Sequence, residues 1–200
     1  MTAFGGVWNR PTRDFHHVQR GVTGRRSLGA IAEISAGIDA ALDAIERRFP
    51  TGPVAVLSSL AEGADRLVVQ RARARPRPHS LIAVLPLPEQ DYVRDFKTAE
   101  SRAEFAALLR KATQVLTLPH NPNAPRNEAY WAAGQYILDH GDVLLAVWDG
   151  QPGRGRGGTA DVVAAARARG TPLVWVHTGS TNDGRSERNV VPGTETVERL

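Results

Sequence analysis

DVLLAVWDGQPGRGRGGTADVVAAARARG (Asp142–Gly170) joins an apolar run to a helix-forming run through a glycine-rich turn. The first part, Asp142–Gly150, is short, apolar and bounded by glycine, as a buried strand requires. The last part, Ala160–Gly170, reads as a helix closed by glycine. Between them Gly153, Gly155 and Gly158 spell G-x-G-x-x-G. A dinucleotide fingerprint opens the first strand–turn–helix and places an acid about 20 residues on, at the next strand end. Here the turn follows the penultimate strand, and the next strand ends in Val176-His177-Thr178, without a carboxylate. No Gly-Lys-Ser/Thr follows either, which removes P-loop chemistry. What remains is Gly157-Gly158-Thr159 at a helix start. Its free N–H groups and dipole suit an anion, and Thr159 can cap the helix or bond an oxyanion. Asp161 either complements the dipole or accepts a ribose hydroxyl. Gly153 to Arg156 reads as an approach to the turn.

The same alternation extends towards the N-terminus. A first short strand is expected to end near Val22, although Gln19 and Arg20 interrupt its apolar pattern. Leu28, Ile31, Ile34, Ile38, Leu42 and Ile45 then share one helical face. VAVLSS, SLIAVLPLP, ATQVLTLP and TPLVWVHT supply further strands. Residues 89–112 are charged and helical, anchored by Phe96, Phe105, Leu108 and Leu109. EAYWAAGQYILDH places Tyr130, Ala133, Gly134 and Ile137 on one helical face. Apolar strands alternating with helices predict an α/β fold: a single Rossmann-like, three-layer domain with a mostly parallel sheet of about six strands and helices on both faces. The expected divisions are an irregular arm over 1–16, the domain over 17–178 and a polar tail over 179–200.

The chain has 200 residues and 42% hydrophobic residues, which suits one globular domain. Cysteine is absent, so disulfides and thiolate metal sites are excluded. The histidines show no metal-ligand spacing, and neither a metal nor a cofactor is expected. Net charge is +4, and lysine occurs only at Lys97 and Lys111. Arginine suits bidentate contacts with phosphate or carboxylate, although a biased genome composition produces the same excess. RARARPR (Arg71–Arg77) is read as a solvated helix end, with a nucleic-acid patch as the alternative. No run approaches the roughly 18 apolar residues of a membrane span. A cytoplasmic protein without membrane contact is expected.

In such folds ligands bind at the carboxyl ends of the strands, at the topological switch point. The residues there form the candidate site. Thr23, Gly24, Arg25 and Arg26 follow the first strand, with one of the arginines read as a phosphate ligand. Ser58, Ser59, Glu62, Gly63 and Asp65 follow the second. Pro86 follows the third, and Asp149 and Gly150 the fifth, ahead of Gly157, Gly158, Thr159 and Asp161. His177 is a possible base or a packed histidine. Trp148, Trp175 and Tyr130 are read as core residues rather than stacking platforms.

Together VTGRR (22–26), SSLAEGADRLV (58–68), IAVLPLPEQDYVRDF (82–96) and VLLAVWDGQPGRGRGGTADVV (143–163) resemble the SLOG superfamily. That group includes the Smf-type DNA-processing proteins and the LOG-like phosphoribohydrolases once called lysine decarboxylases. The resemblance covers roughly residues 18–178 and implies a Rossmann-like fold that binds nucleotides or their derivatives. The hydrolases share a PGGxGTxxE pattern. Gly158-Thr159 matches its Gly-Thr, but its glutamate falls on Val162, and Asp161 is one place early. On a helix that turns the carboxylate by about 100 degrees.

Three functions follow as expectations. The first is a ligand-sensing protein that binds a nucleotide-like small molecule. Its phosphate would lie over Gly157–Thr159, helped by residues 23–26, and its ribose would meet Asp149, Asp161 or Glu62. The second is hydrolysis of a nucleotide N-glycosidic bond, with Glu62 and Asp161 as candidate catalytic carboxylates, by analogy with glycoside hydrolysis. The third is nucleic-acid binding of the DNA-processing type. A homo-oligomer is implied by the resemblance alone.

Overall fold

The computed structural model describes residues 18–50, 52–77, 79–153, 156–179 and 195–199. The expected arm over 1–16 lies outside them, as do 154–155 and most of the expected tail. The strands are β1 (Val18–Gly24), β2 (Val54–Ser58), β3 (Ser80–Leu85), β4 (Gln114–Thr117), β5 (Val143–Trp148), β6 (Leu173–His177) and β7 (Glu195–Glu198). The helices are α1 (Ile31–Arg48), α2 (Ala64–Arg73), α3 (Glu89–Tyr92), α4 (Ala99–Leu109), α5 (Arg126–His140) and α6 (Thr159–Arg169), with a 3-10 turn at Val93–Asp95. No helix among the described residues is long and apolar enough to cross a membrane.

The sheet runs β4-β3-β2-β1-β5-β6-β7 and is parallel except for β7, which pairs antiparallel with β6. The expected α/β architecture is present with seven strands rather than six. The additional strand comes from the segment read as a polar tail. Its Glu-Thr-Val-Glu carries only one apolar residue, so periodicity gives no strand signal there.

β2 and β5 are buried along almost their whole length because helices cover both faces. Ile34, Ile38, Leu42 and Ile45 of α1 pack on one face with Val68, Val69 and Ala72 of α2. Ala133 and Ile137 of α5 pack on the other with Val162, Val163 and Ala166 of α6. Ile31, read into the α1 stripe, is 51% exposed because the helix has barely begun there. The charged segment over 89–112 is divided: Thr98 caps a fresh helix by accepting from the Ser101 amide at 3.1 Å. Phe96, Phe105 and Leu108 are buried as expected.

β1 continues past Val22 to Gly24. Arg20, which interrupted its pattern in sequence, is 1% exposed beneath α1. A buried guanidinium inside a strand is what periodicity alone counts as a break. Two of the four arginines in RARARPR are committed to acids on α1: Arg71 pairs with Asp39, and Arg75 with Asp43 and Glu46.

Candidate functional site

β1 lies between β2 and β5, and the chain leaves it in opposite directions on its two sides. The crevice above the ends of β1 and β5 is therefore the switch point. The Arg25 amide donates to the Val147 carbonyl at 3.1 Å, and its guanidinium pairs with Asp149 at the end of β5. This ion pair ties the two strand ends together.

Two glycine turns bring helix starts to the crevice. Gly63 has φ +82°, and a Cβ there would meet the Arg26 carbonyl oxygen at 2.4 Å. The Ala64 amide donates to the Arg25 carbonyl at 3.0 Å. α2 is thus pressed against the chain leaving β1, and Asp65 in its first turn reaches the cleft. Gly157 has φ +85°, and a Cβ there would lie 2.6 Å from the Asn127 carbonyl oxygen. The turn before α6 can therefore tuck against the start of α5. Gly158 occupies the N-cap position, so Thr159 is the first helical residue rather than the cap. The Gly158 and Thr159 amides have no acceptor among the described residues.

The resulting cleft has a volume of about 370 Å³, within the usual range for small-molecule sites. Thr23, Gly24, Arg25, Arg26, Ser59, Asp65, Pro86, Gly157, Gly158 and Thr159 line it, all of them named from sequence. The other expected residues stand behind or beside it. Ser58 is fully buried and donates to Asp65 at 3.1 Å. Glu62 accepts from the Ser101 hydroxyl and the Lys97 amide. Asp149 holds Arg25, and Gly150, at φ +79°, turns the chain beneath Trp175. Asp161 turns back to accept from the Gly157 amide at 2.7 Å. The side chain that faces the cleft one place later is Val162.

Sequence reasoning missed Val22, Ala61, Tyr92, Arg156 and Val162, which also line the cleft. It read Tyr130, Gly134 and Ile137 as core, whereas they also form part of the wall. Arg156, taken as mere approach to the turn, lies at the rim and pairs with Glu128 at 3.0 Å. Tyr130 donates to Asp95, and Arg126 binds Asp91 and Asp95. Arg26 lies over the Tyr130 ring, 5.5 Å from its centroid. His177 is outside the cleft: it stacks on Trp175 and lies 3.0 Å from the Thr196 hydroxyl.

The charge arrangement is uneven. Arg26 and Arg156 stand at the rim, and Asp65, 4% exposed, lies below them. Burial raises the Asp65 carboxyl from 3.8 to about 7, against the Ser58 hydrogen bond, the Ala61 amide and the fields of Arg26 and Arg66. Burial likewise raises the neighbouring Tyr92 hydroxyl, with Asp65 adding to the effect. A titrating acid in a cleft beside cations is a functional-site signature.

No family model matches the chain, and no curated protein matches it. Solved structures do. DNA processing protein A from Helicobacter pylori, described by its single-stranded DNA binding mode, aligns with TM-score 0.51 and 15% identity over 78% of this chain and 63% of its own. DNA processing protein A from Streptococcus pneumoniae aligns with TM-score 0.50 and 13% identity over 78% of this chain and 49% of its own. The chain therefore spans only about half to under two thirds of the length of these proteins. At this identity the likeness is one of fold. The chain shares its Rossmann-like fold with these DNA processing proteins.

Proposed function

We propose that the chain binds a nucleotide or nucleotide derivative in the switch-point cleft. The observation that carries this reading is the meeting of two amides at the α6 start, without an acceptor among the described residues, with the Arg26 and Arg156 guanidiniums around one cavity. A helix start and arginines together suit a phosphate. Tyr92, Tyr130 and Pro86 offer apolar surface for the remainder of the ligand. Asp161 and Glu62 are engaged by the protein itself, which favours binding over hydrolysis by either group. Asp65 is the carboxylate that a hydrolytic reading would require, and release of free base from nucleoside monophosphates is its assay. Thermal unfolding with a panel of nucleotides tests binding, since a ligand of the native state must raise the midpoint. No shift up to millimolar concentrations of any nucleotide counts against it.

A second reading is single-stranded nucleic acid. The fold likeness to a DNA-binding protein and the basic rim favour it. It requires affinity that falls steeply with salt. The commitment of Arg71 and Arg75 to α1 acids leaves less basic surface for it than the sequence suggests. Self-association, which the family resemblance implies, is read directly by sedimentation.

A further inference from the structure

Asp65 is the cleft's buried carboxyl group, and its burial opposes ionisation while the Ser58 hydroxyl, the Ala61 amide and the nearby arginines favour it. Ser58 of β2 donates to one oxygen at 3.1 Å and is itself held by the Leu60 amide at 3.0 Å. From α2, Arg66 is adjacent in sequence but turned away. Its guanidinium donates to the Leu60 carbonyl at 2.9 Å and to the Ser101 carbonyl at 2.8 Å, and it pairs with Glu104 at 2.9 Å. From the chain after β1, Arg26 faces Asp65 but lies against Tyr130 at the exposed rim. From α3 comes the buried Tyr92 hydroxyl, with Asp95 and Tyr130 beyond it. No guanidinium makes a hydrogen bond to Asp65 among the described residues.

We propose that Asp65 gates the cleft: an anionic ligand enters while this carboxyl is neutral, and its ionisation expels the ligand. This rests on the nucleotide reading and deepens it. Asp65 shares one cavity with the α6 start, where the phosphate is placed, so a carboxylate there adds a like charge to a site lined to receive an anion. A protonated Asp65 instead presents an uncharged group that can donate a hydrogen bond. By linkage, a bound anion raises the proton affinity of Asp65, and ligand binding takes up protons. The ordinary Asp65 carboxyl would be ionised throughout the neutral range; burial brings its titration to about 7, where the gate can operate.

The test uses adenosine 5′-monophosphate titrated calorimetrically into the whole chain, in steps from about pH 7 to about pH 9. Its phosphate, with a second ionisation near 6, is almost fully dianionic over this range. Wild-type Kd should rise by up to about tenfold per pH unit, while Asp65→Asn stays flat within about twofold. Ser58→Ala removes a bond that favours the charged form, so its break should move to higher pH. An equal slope in Asp65→Asn, or a flat wild type, overturns the gate. Sulfate, whose charge is constant here, is the second probe, read by thermal unfolding against chloride. Sulfate stabilisation lost at high pH in the wild type alone keeps the gate, while failure of every nucleotide in the panel to bind ends the nucleotide reading. Stabilisation by neither sulfate nor any of those nucleotides overturns both.

Discussion

The two ends of the sheet both bury charge, but with opposite designs. At the amino ends, Arg20 of β1, His79 before β3 and Glu46 of α1 form a closed cluster with Arg75. Burial lowers Arg20 to about 10, with Glu46 opposing the shift. Burial, then Arg20, lowers His79 to about 4. Burial works against the Glu46 charge, but Arg75, His79 and Arg20 outweigh it and hold the carboxyl below its usual range. At the carboxyl ends, Asp65 is buried with no cation bonded to it among the described residues, and Arg26 and Arg156 stand at a rim open to solvent. The amino end settles its charges within the protein. At the carboxyl end the Gly158 and Thr159 amides have no acceptor among the described residues, and the proposed anion would meet them together with the rim guanidiniums.

The sharpest break of this contrast is Glu46→Gln. It leaves Arg20 charged, 1% exposed and without a counter-ion. Removing one partner of a buried pair costs roughly 3–5 kcal/mol. Glu46 is 23% exposed, so about 2–3 kcal/mol is expected in urea unfolding after discounting for solvent screening. Arg20→Met should cost much less, because the Arg20 Nε and Nη2 atoms have no partner among the described residues and apolar replacements of buried ions are often neutral. Equal losses in the two variants would show that the cluster is not held together by charge compensation.

The two ends should also respond to pH in opposite senses. Asp65 has a raised folded value, so its contribution is whole below about 3.8 and is lost as pH climbs through about 7. His79 has a lowered value, so its contribution is whole above about 6.5 and is lost as pH falls towards about 4. Asp65→Asn should therefore be more stable than wild type near pH 9, by about 2 kcal/mol, well under the full shift at about 1.4 kcal/mol per unit. His79→Gln should flatten the acid limb without touching the alkaline one. Stability curves by denaturant at several pH values decide both, and a variant that alters the other end's limb contradicts the separation.

The sequence carried the carboxyl end better than the amino end. Strand-end turns are marked by small residues and glycines, and residues such as Thr23, Ser59 and Gly158 were visible because backbone must approach something there. The α6 offset was visible as well: Asp161 sits one place early, and in the fold it bonds the Gly157 amide while Val162 faces the cleft. Periodicity reports burial and not its partner, so Arg20 looked like a break in a strand. Tyr130 and Ile137 looked like core because a cleft wall and a core present the same helical face. Tyr92 follows shortly after Pro86 and Arg156 directly precedes Gly157, but sequence neighbourhood alone does not say which side chains beside a strand end turn into the crevice.

At the rim the effects should be smaller. Arg26→Ala should weaken nucleotide binding about tenfold, the scale of one charge-assisted contact, with little change in stability because Arg26 is exposed. Arg25→Ala should cost stability too, since its Asp149 pair joins β1 to β5. A loss of binding without a loss of stability in Arg25→Ala would instead assign Arg25 to the ligand.

The smallest change tests whether the rim is poised for an outside anion. Arg156 and Glu128 are 59% and 43% exposed, and such surface pairs contribute little to stability. Glu128 nevertheless competes with any phosphate for the same guanidinium. Glu128→Ala should leave the unfolding midpoint unchanged within about 0.5 kcal/mol and tighten nucleotide binding about twofold at low salt. The gain should vanish at high salt, where screening removes the repulsion between Glu128 and the ligand. Weaker binding would mean that Glu128 positions Arg156 rather than occupying it, and the open carboxyl end would then be internally braced, as the amino end is.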